Sequence, residues 1–125
     1  MMDGPRRFNN QRERRRGEMS LDVYLMAIRK TEVFTANITH NLNKMAEEAG
    51  IYEHLWRPDE IGVTHASQLI EPLKTGIALM KSDPKRFKKL GPPNGWGTYH
   101  DFVPWLEEYL KACEKNPDAE VEVSR

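Results

Sequence analysis

The spacing of apolar residues changes period twice along this chain, and that change restricts the fold more than any other feature. Leu21, Val23, Leu25 and Ala27 alternate with Asp22, Tyr24, Met26 and Ile28. Alternation is the signature of a strand, here with apolar groups on both faces, so both faces are expected to be at least partly covered. Glu32 to Thr39 carries the β-formers Val33, Phe34, Thr35 and Ile38 and is expected to be a second extended stretch, with Arg29 to Thr31 as the turn between the two. From Leu42 onward the spacing becomes helical. Leu42, Met45, Ala46 and Ala49 share one face, and Gly50 supplies a left-handed stop. A short segment, Ile51 to Trp56, ends at Pro58.

Thr64 is expected to cap the next helix, whose stripe is Ala66, Leu69, Ile70, Leu73, Ile77 and Met80, with a kink at Pro72. Ser82-Asp83-Pro84 ends it and opens a short turn through Phe87 and Leu90. Thr98 and Asp101 form a capping box in its acidic version ahead of the stripe Phe102, Leu106, Tyr109, Leu110 and Cys113. Period two returns where Ala119, Val121 and Val123 alternate with Glu120, Glu122 and Ser124. The expected fold class is α+β: a small, mainly antiparallel sheet made of two N-terminal strands and a C-terminal strand, with about three helices packed on it.

Charge divides the chain of 125 residues into two parts. Residues 1–18 carry six arginines (6, 7, 12, 14, 15 and 16) against Asp3, Glu13 and Glu18, a net of 6 − 3 = +3. With almost nothing to bury, this stretch is expected to be a flexible arginine-rich arm, followed by a single α+β domain over residues 19–125. The whole chain has a formal net charge of zero, which argues against packaging nucleic acid as its main role; nucleic-acid contact is expected only weakly, through the arm. No apolar run reaches the ~20 residues a membrane helix needs. No secretory leader is visible, and Cys113 stands alone, so neither an intrachain disulfide nor a cysteine-cluster zinc site can form. These features predict a cytoplasmic protein.

Three polar-aromatic segments are the candidates for function. The first is Asn37-Ile38-Thr39-His40-Asn41, where an extended stretch enters a helix. Free backbone N–H groups and the positive dipole end suit an anion there. Asn37 and Asn41 could read an amide or base edge, and His40 could donate or act as a base. Helix capping and loop satisfaction compete with that reading: for Thr39 capping is the better explanation, and for His40 and Asn41 the two stand level. The second segment holds Tyr52, His54, Trp56 and Arg57. An indole beside a guanidinium suits stacking on a planar ring and clamping a phosphate. The competing expectation is that Trp56 plugs the core while Arg57 pairs with Asp59 or Glu60. The third is Asn94-Gly95-Trp96-Gly97, an aromatic between two glycines after Pro92 and Pro93. The prolines favour a preformed loop, and the glycines let backbone approach a ligand.

Standard catalytic templates are missing. There is no Gly-x-Ser-x-Gly, no phosphate-binding Walker loop, no Gly-x-Gly-x-x-Gly and no His-Glu-x-x-His. The four histidines have no metal-ligand spacing, so no metal and no cofactor is expected. Cys113, near a helix C-terminus on the apolar face, is disfavoured as a nucleophile because the negative dipole end opposes a thiolate.

Ile38-Thr39-His40-Asn41-Leu42, Met45-Ala46, Ala49-Gly50-Ile51-Tyr52, Leu55-Trp56-Arg57-Pro58 and Asn94-Gly95-Trp96-Gly97-Thr98-Tyr99 together resemble a family of small phage and bacterial proteins of uncharacterised activity. The likeness covers roughly residues 20–125 and leaves out the arm. It implies an intracellular accessory role, in the host cytoplasm where the chain is phage-encoded. Small proteins in that setting include nucleotide sponges, inhibitors of host defence and modifiers of host enzymes.

Together these features predict a non-enzymatic small-molecule-binding protein. Its site would combine Asn37, His40, Asn41, Tyr52, Trp56, Arg57, Asn94 and Trp96 around a nucleotide or ADP-ribose-like ligand, such as an immune signal. Two alternatives stand beside it: an interaction module that inhibits a host protein, and a nucleotide-directed hydrolase or transferase using His40. Homo-oligomerisation through a sheet edge is a further expectation.

Overall fold

The computed structural model describes residues 20–27, 32–91 and 98–125. Its strands are β1 (Ser20–Met26), β2 (Glu32–Thr39) and β3 (Glu120–Ser124). Its α-helices are α1 (Asn43–Glu48), α2 (Tyr52–Trp56), α3 (Ser67–Ser82), α4 (Pro84–Lys88) and α5 (Tyr99–Lys115). Single 3₁₀ turns occupy His40–Leu42 and Pro58–Ile61. The fold is α+β, and the three-stranded antiparallel sheet has the order β2-β1-β3.

Central position explains the composition of β1. Its alternate residues Leu21, Val23 and Leu25 are fully buried against the helices, beside Ile38, Ala36 and Phe34 of β2 and Val123 and Val121 of β3. On the other face Asp22 and Tyr24 are buried as well, so the apolar character of both faces has its structural counterpart. The register shifts by one residue between Leu25 and Met26, from Leu25 opposite Phe34 to Met26 opposite Glu32.

Among the described residues there are five helices where about three are expected, because the two short segments that follow the expected stops, Tyr52–Trp56 and Pro84–Lys88, are themselves helical. Gly50 sits at φ 78°, a left-handed conformation that separates α1 from α2. Pro84 occupies the first turn of α4, where its missing N–H costs nothing, so the expected turn is itself a helix. The core is made mainly by α3 and α5, through Leu69, Leu73, Ile77 and Met80 on one and Phe102, Leu106, Tyr109 and Cys113 on the other. Salt bridges tie the helices together at their rims: Lys81 with Glu107, Lys74 with Glu114 at 3.7 Å, and Arg86 with Glu48. Exposed pairs like these add little stability individually.

The capping box of α5 forms as its sequence requires, Asp101 N donating to Thr98 Oγ1 while Thr98 N donates to Asp101 Oδ2. The α3 terminus differs from expectation. Thr64 does not cap it; Gln68 folds back instead, its Oε1 accepting from Thr64 N and His65 N and its Nε2 donating to the Gly62 carbonyl. The freed segment pairs with β3: Val121 N donates to Thr64 O, Ala66 N donates to Ala119 O, and His65 bridges Glu120. Among the described residues no helix is long and apolar enough to cross a membrane.

Candidate functional site

β2 runs directly into the 3₁₀ turn at His40, and α2 ends at Trp56 beneath it. Trp56 is 2% exposed and its indole N–H donates to His40 Nδ1 at 2.6 Å. A tryptophan N–H is a donor only, so a buried one needs an acceptor, and His40 is that acceptor. The bond also sets the imidazole tautomer. With Nδ1 accepting, the ring proton resides on Nε2.

One helical turn before Trp56, Tyr52 stacks on the indole, with ring centroids 5.5 Å apart and planes 14° from parallel. The four-residue spacing on α2 places the two rings one above the other. Tyr52 is half-buried, so the aromatic surface reachable from solvent belongs to it, while Trp56 forms the floor. Arg57 follows, its side chain 42% exposed, and Nε donates to the Tyr52 hydroxyl at 3.3 Å. That bond, and after it the bond to Glu60 at 2.9 Å, raise the guanidinium pKa above its ordinary value, so the group is a fixed cation.

Arg125, just beyond β3, completes the corner. It donates to the Trp56 carbonyl at 3.3 Å and to Asp59 Oδ1 at 3.1 Å, and lies 3.7 Å from Glu60. The hydrogen bond from Arg125 is the leading cause of the lowered pKa of Asp59. Two guanidiniums and two carboxylates therefore form one neutral network around the α2 exit. The Arg57–Glu60 pair is visible in the sequence as a three-residue spacing. Arg125 is not, because only the return of the chain through β3 brings it there.

The remaining sequence candidates lie elsewhere. Asn37 is on the outer face of β2, and its side-chain amide donates across the sheet to Asp22 Oδ1 at 2.7 Å and to Ser20 Oγ at 2.9 Å. Asp22 is only 7% exposed, so that donor has a structural task. Asn41 is exposed, and its backbone N–H donates to Thr39 Oγ1 at 3.2 Å, which is the capping role expected of Thr39. The turn it caps is three residues long, too short to build a strong dipole. Asn94 and Trp96 lie outside the described residues. Thus His40, Tyr52, Trp56 and Arg57 converge, and Asn37 serves the sheet.

Cys113 is fully buried, and its thiol pKa is pushed up to about 12, first by burial and then by Glu114. The inert role expected from the sequence has a physical basis, with desolvation rather than the helix dipole as its main cause. Comparison with family models, with curated proteins and with solved structures finds no match to this chain.

Proposed function

We propose that this chain is a non-enzymatic binding protein for a small planar anion of the nucleotide or ADP-ribose type. The observation that carries the proposal is the preformed corner in which Arg57 is hydrogen-bonded to Tyr52 while Tyr52 is stacked on buried Trp56. A ring and a guanidinium fixed beside each other offer a base-stacking surface and a phosphate partner without an ordering cost at binding. His40 acts as a positioning residue, holding the indole that supports Tyr52. A phosphate would compete with Glu60 for Arg57, so binding at this corner exchanges one anion for another. The reading includes an accessory role in an infected cell, with a nucleotide signal as the sequestered ligand.

The hydrolase or transferase alternative ranks lower. As a general base His40 would need a lone pair on Nε2, and therefore the tautomer that gives up the 2.6 Å bond to Trp56. Isothermal calorimetry of the full chain against a panel of mono- and dinucleotides tests the proposal. One member should bind, and Tyr52→Ala and Arg57→Ala should each weaken it about tenfold or more, the scale of one lost stacking or charge-assisted contact. A panel in which nothing binds, or a binder indifferent to both substitutions, refutes the assignment of this corner.

A further inference from the structure

A sheet of three strands has two edges, and here they are treated differently. The β3 edge is covered at its Glu120 end. The segment from Thr64 to Ala66 pairs with it through two backbone hydrogen bonds of 2.8 and 2.9 Å and the His65–Glu120 bridge, and Glu120 and Glu122 add charge. Among the described residues, no strand pairs with the outer edge of β2. β2 is eight residues long and carries no charge from Val33 to Thr39, no proline and no glycine. The register shift lies at its Glu32 end, so Phe34 to Thr39 is regular. Neither a charge, a proline nor a bulge blunts that stretch. Phe34, Ala36 and Ile38 point to the core but remain half-buried, and Val33 is 40% exposed.

We propose that the β2 edge pairs with the β2 edge of a second copy of this chain, antiparallel about a two-fold axis. The sequence is self-complementary in that arrangement. With Ala36 at the axis, Phe34 falls opposite Ile38 of the other copy on the core face, and Thr35 opposite Asn37 on the polar face. Apolar meets apolar and polar meets polar, because residues directly opposite share a face. The two three-stranded sheets become one continuous sheet, the exposed N–H and C=O groups of both edges are satisfied, and the half-buried Phe34 and Ile38 gain cover. An unrelated extended segment would satisfy the backbone equally well, but it has no matched side-chain register.

Sedimentation velocity of the full chain across a concentration series tests this. A concentration-dependent dimer is expected. Thr35→Lys and Thr35→Glu, both at an exposed polar-face position, should each weaken it by roughly fivefold, since the two substituted side chains meet diagonally across the axis. An equimolar mixture of the two variants should recover association, which a folding defect would not allow. Amide hydrogen exchange of the native chain gives an independent readout, with protection of alternate β2 amides rising with concentration. A strict monomer, a dimer unaffected by either charge, or concentration-independent exchange along β2 overturns the proposal.

Discussion

Tyr109 presents a buried hydroxyl whose removal should strengthen the fold. The ring is fully buried, stacked 5.8 Å from Phe34 at 9° and tilted against Trp105 at 5.6 Å. Its hydroxyl has no hydrogen-bond partner among the described residues. A buried polar group left without a partner costs about 1–3 kcal/mol. Tyr109→Phe deletes that cost, keeps both ring contacts and leaves a void smaller than a methyl group, costing at most about 1 kcal/mol. The net expectation is a gain of about 1 kcal/mol, or roughly 3–5 °C in Tm for a domain of this size. Urea unfolding followed by far-UV circular dichroism measures it, with an unchanged denaturant slope showing that only stability has moved. A loss of about 1 kcal/mol or more would refute the reasoning, since the hydroxyl must then have an acceptor such as a trapped water.

The same variant has a signature in alkali. Burial raises the Tyr109 phenol above its usual 10.0, so above that pH the unfolded chain releases a proton that the native chain retains. Stability present below pH 10.0 is therefore lost as the pH rises, and Tyr109→Phe should lack that part of the loss. Cys113 adds a similar loss between its usual 9.0 and about 12, in both proteins.

Two further predictions concern packing and acid. A Cβ at Gly76 would lie 2.8 Å from Ile51 Cγ2, and Ile51 is 1% exposed, so Gly76→Ala should destabilise by about 1–2 kcal/mol in chemical denaturation despite its better helix propensity; Ile51→Ala in the same chain should make the added methyl tolerable. The pKa of His54 is lowered from 6.5, chiefly by burial, and its Nδ1 is buried with no partner among the described residues. As the pH falls through 6.5 the unfolded chain takes up a proton before the native one does, so stability should decline from there downward, and His54→Gln should flatten that decline between pH 7 and pH 5.

Much of the scaffold follows from local physics. β3 is readable because Val121 and Val123 alternate with polar residues, β1 because its short apolar run carries β-formers on both faces, and the α5 start because its capping box spans four residues. The α3 start differs for an equally physical reason: Gln68 reaches back three and four residues to the N–H groups of His65 and Thr64, which is only the return half of a capping box, and position 65 is a histidine rather than the Ser or Thr that would announce it. The candidate site divides in the same way. Tyr52, Trp56 and Arg57 come together because they lie within a turn and a half of one another. The partnership of Trp56 with His40 spans 16 residues, and that with Arg125 spans 69. Asn37 looked like a ligand-reading amide because its sequence neighbours are polar, while its true partner, Asp22, is visible only after the strands align.

The order β2-β1-β3 has a consequence for biosynthesis. Asp22 is paired with Ser124, 124 − 22 = 102 residues later, so the central strand waits for that whole stretch to leave the ribosome before its second neighbour arrives. Until then the nascent hairpin has both of its edges open, and the pocket behind Leu21, Val23 and Leu25 must be filled by helices that are themselves still being made. Slowing translation after the first hairpin would therefore lengthen the interval in which this protein is most prone to entanglement with its own newly made copies.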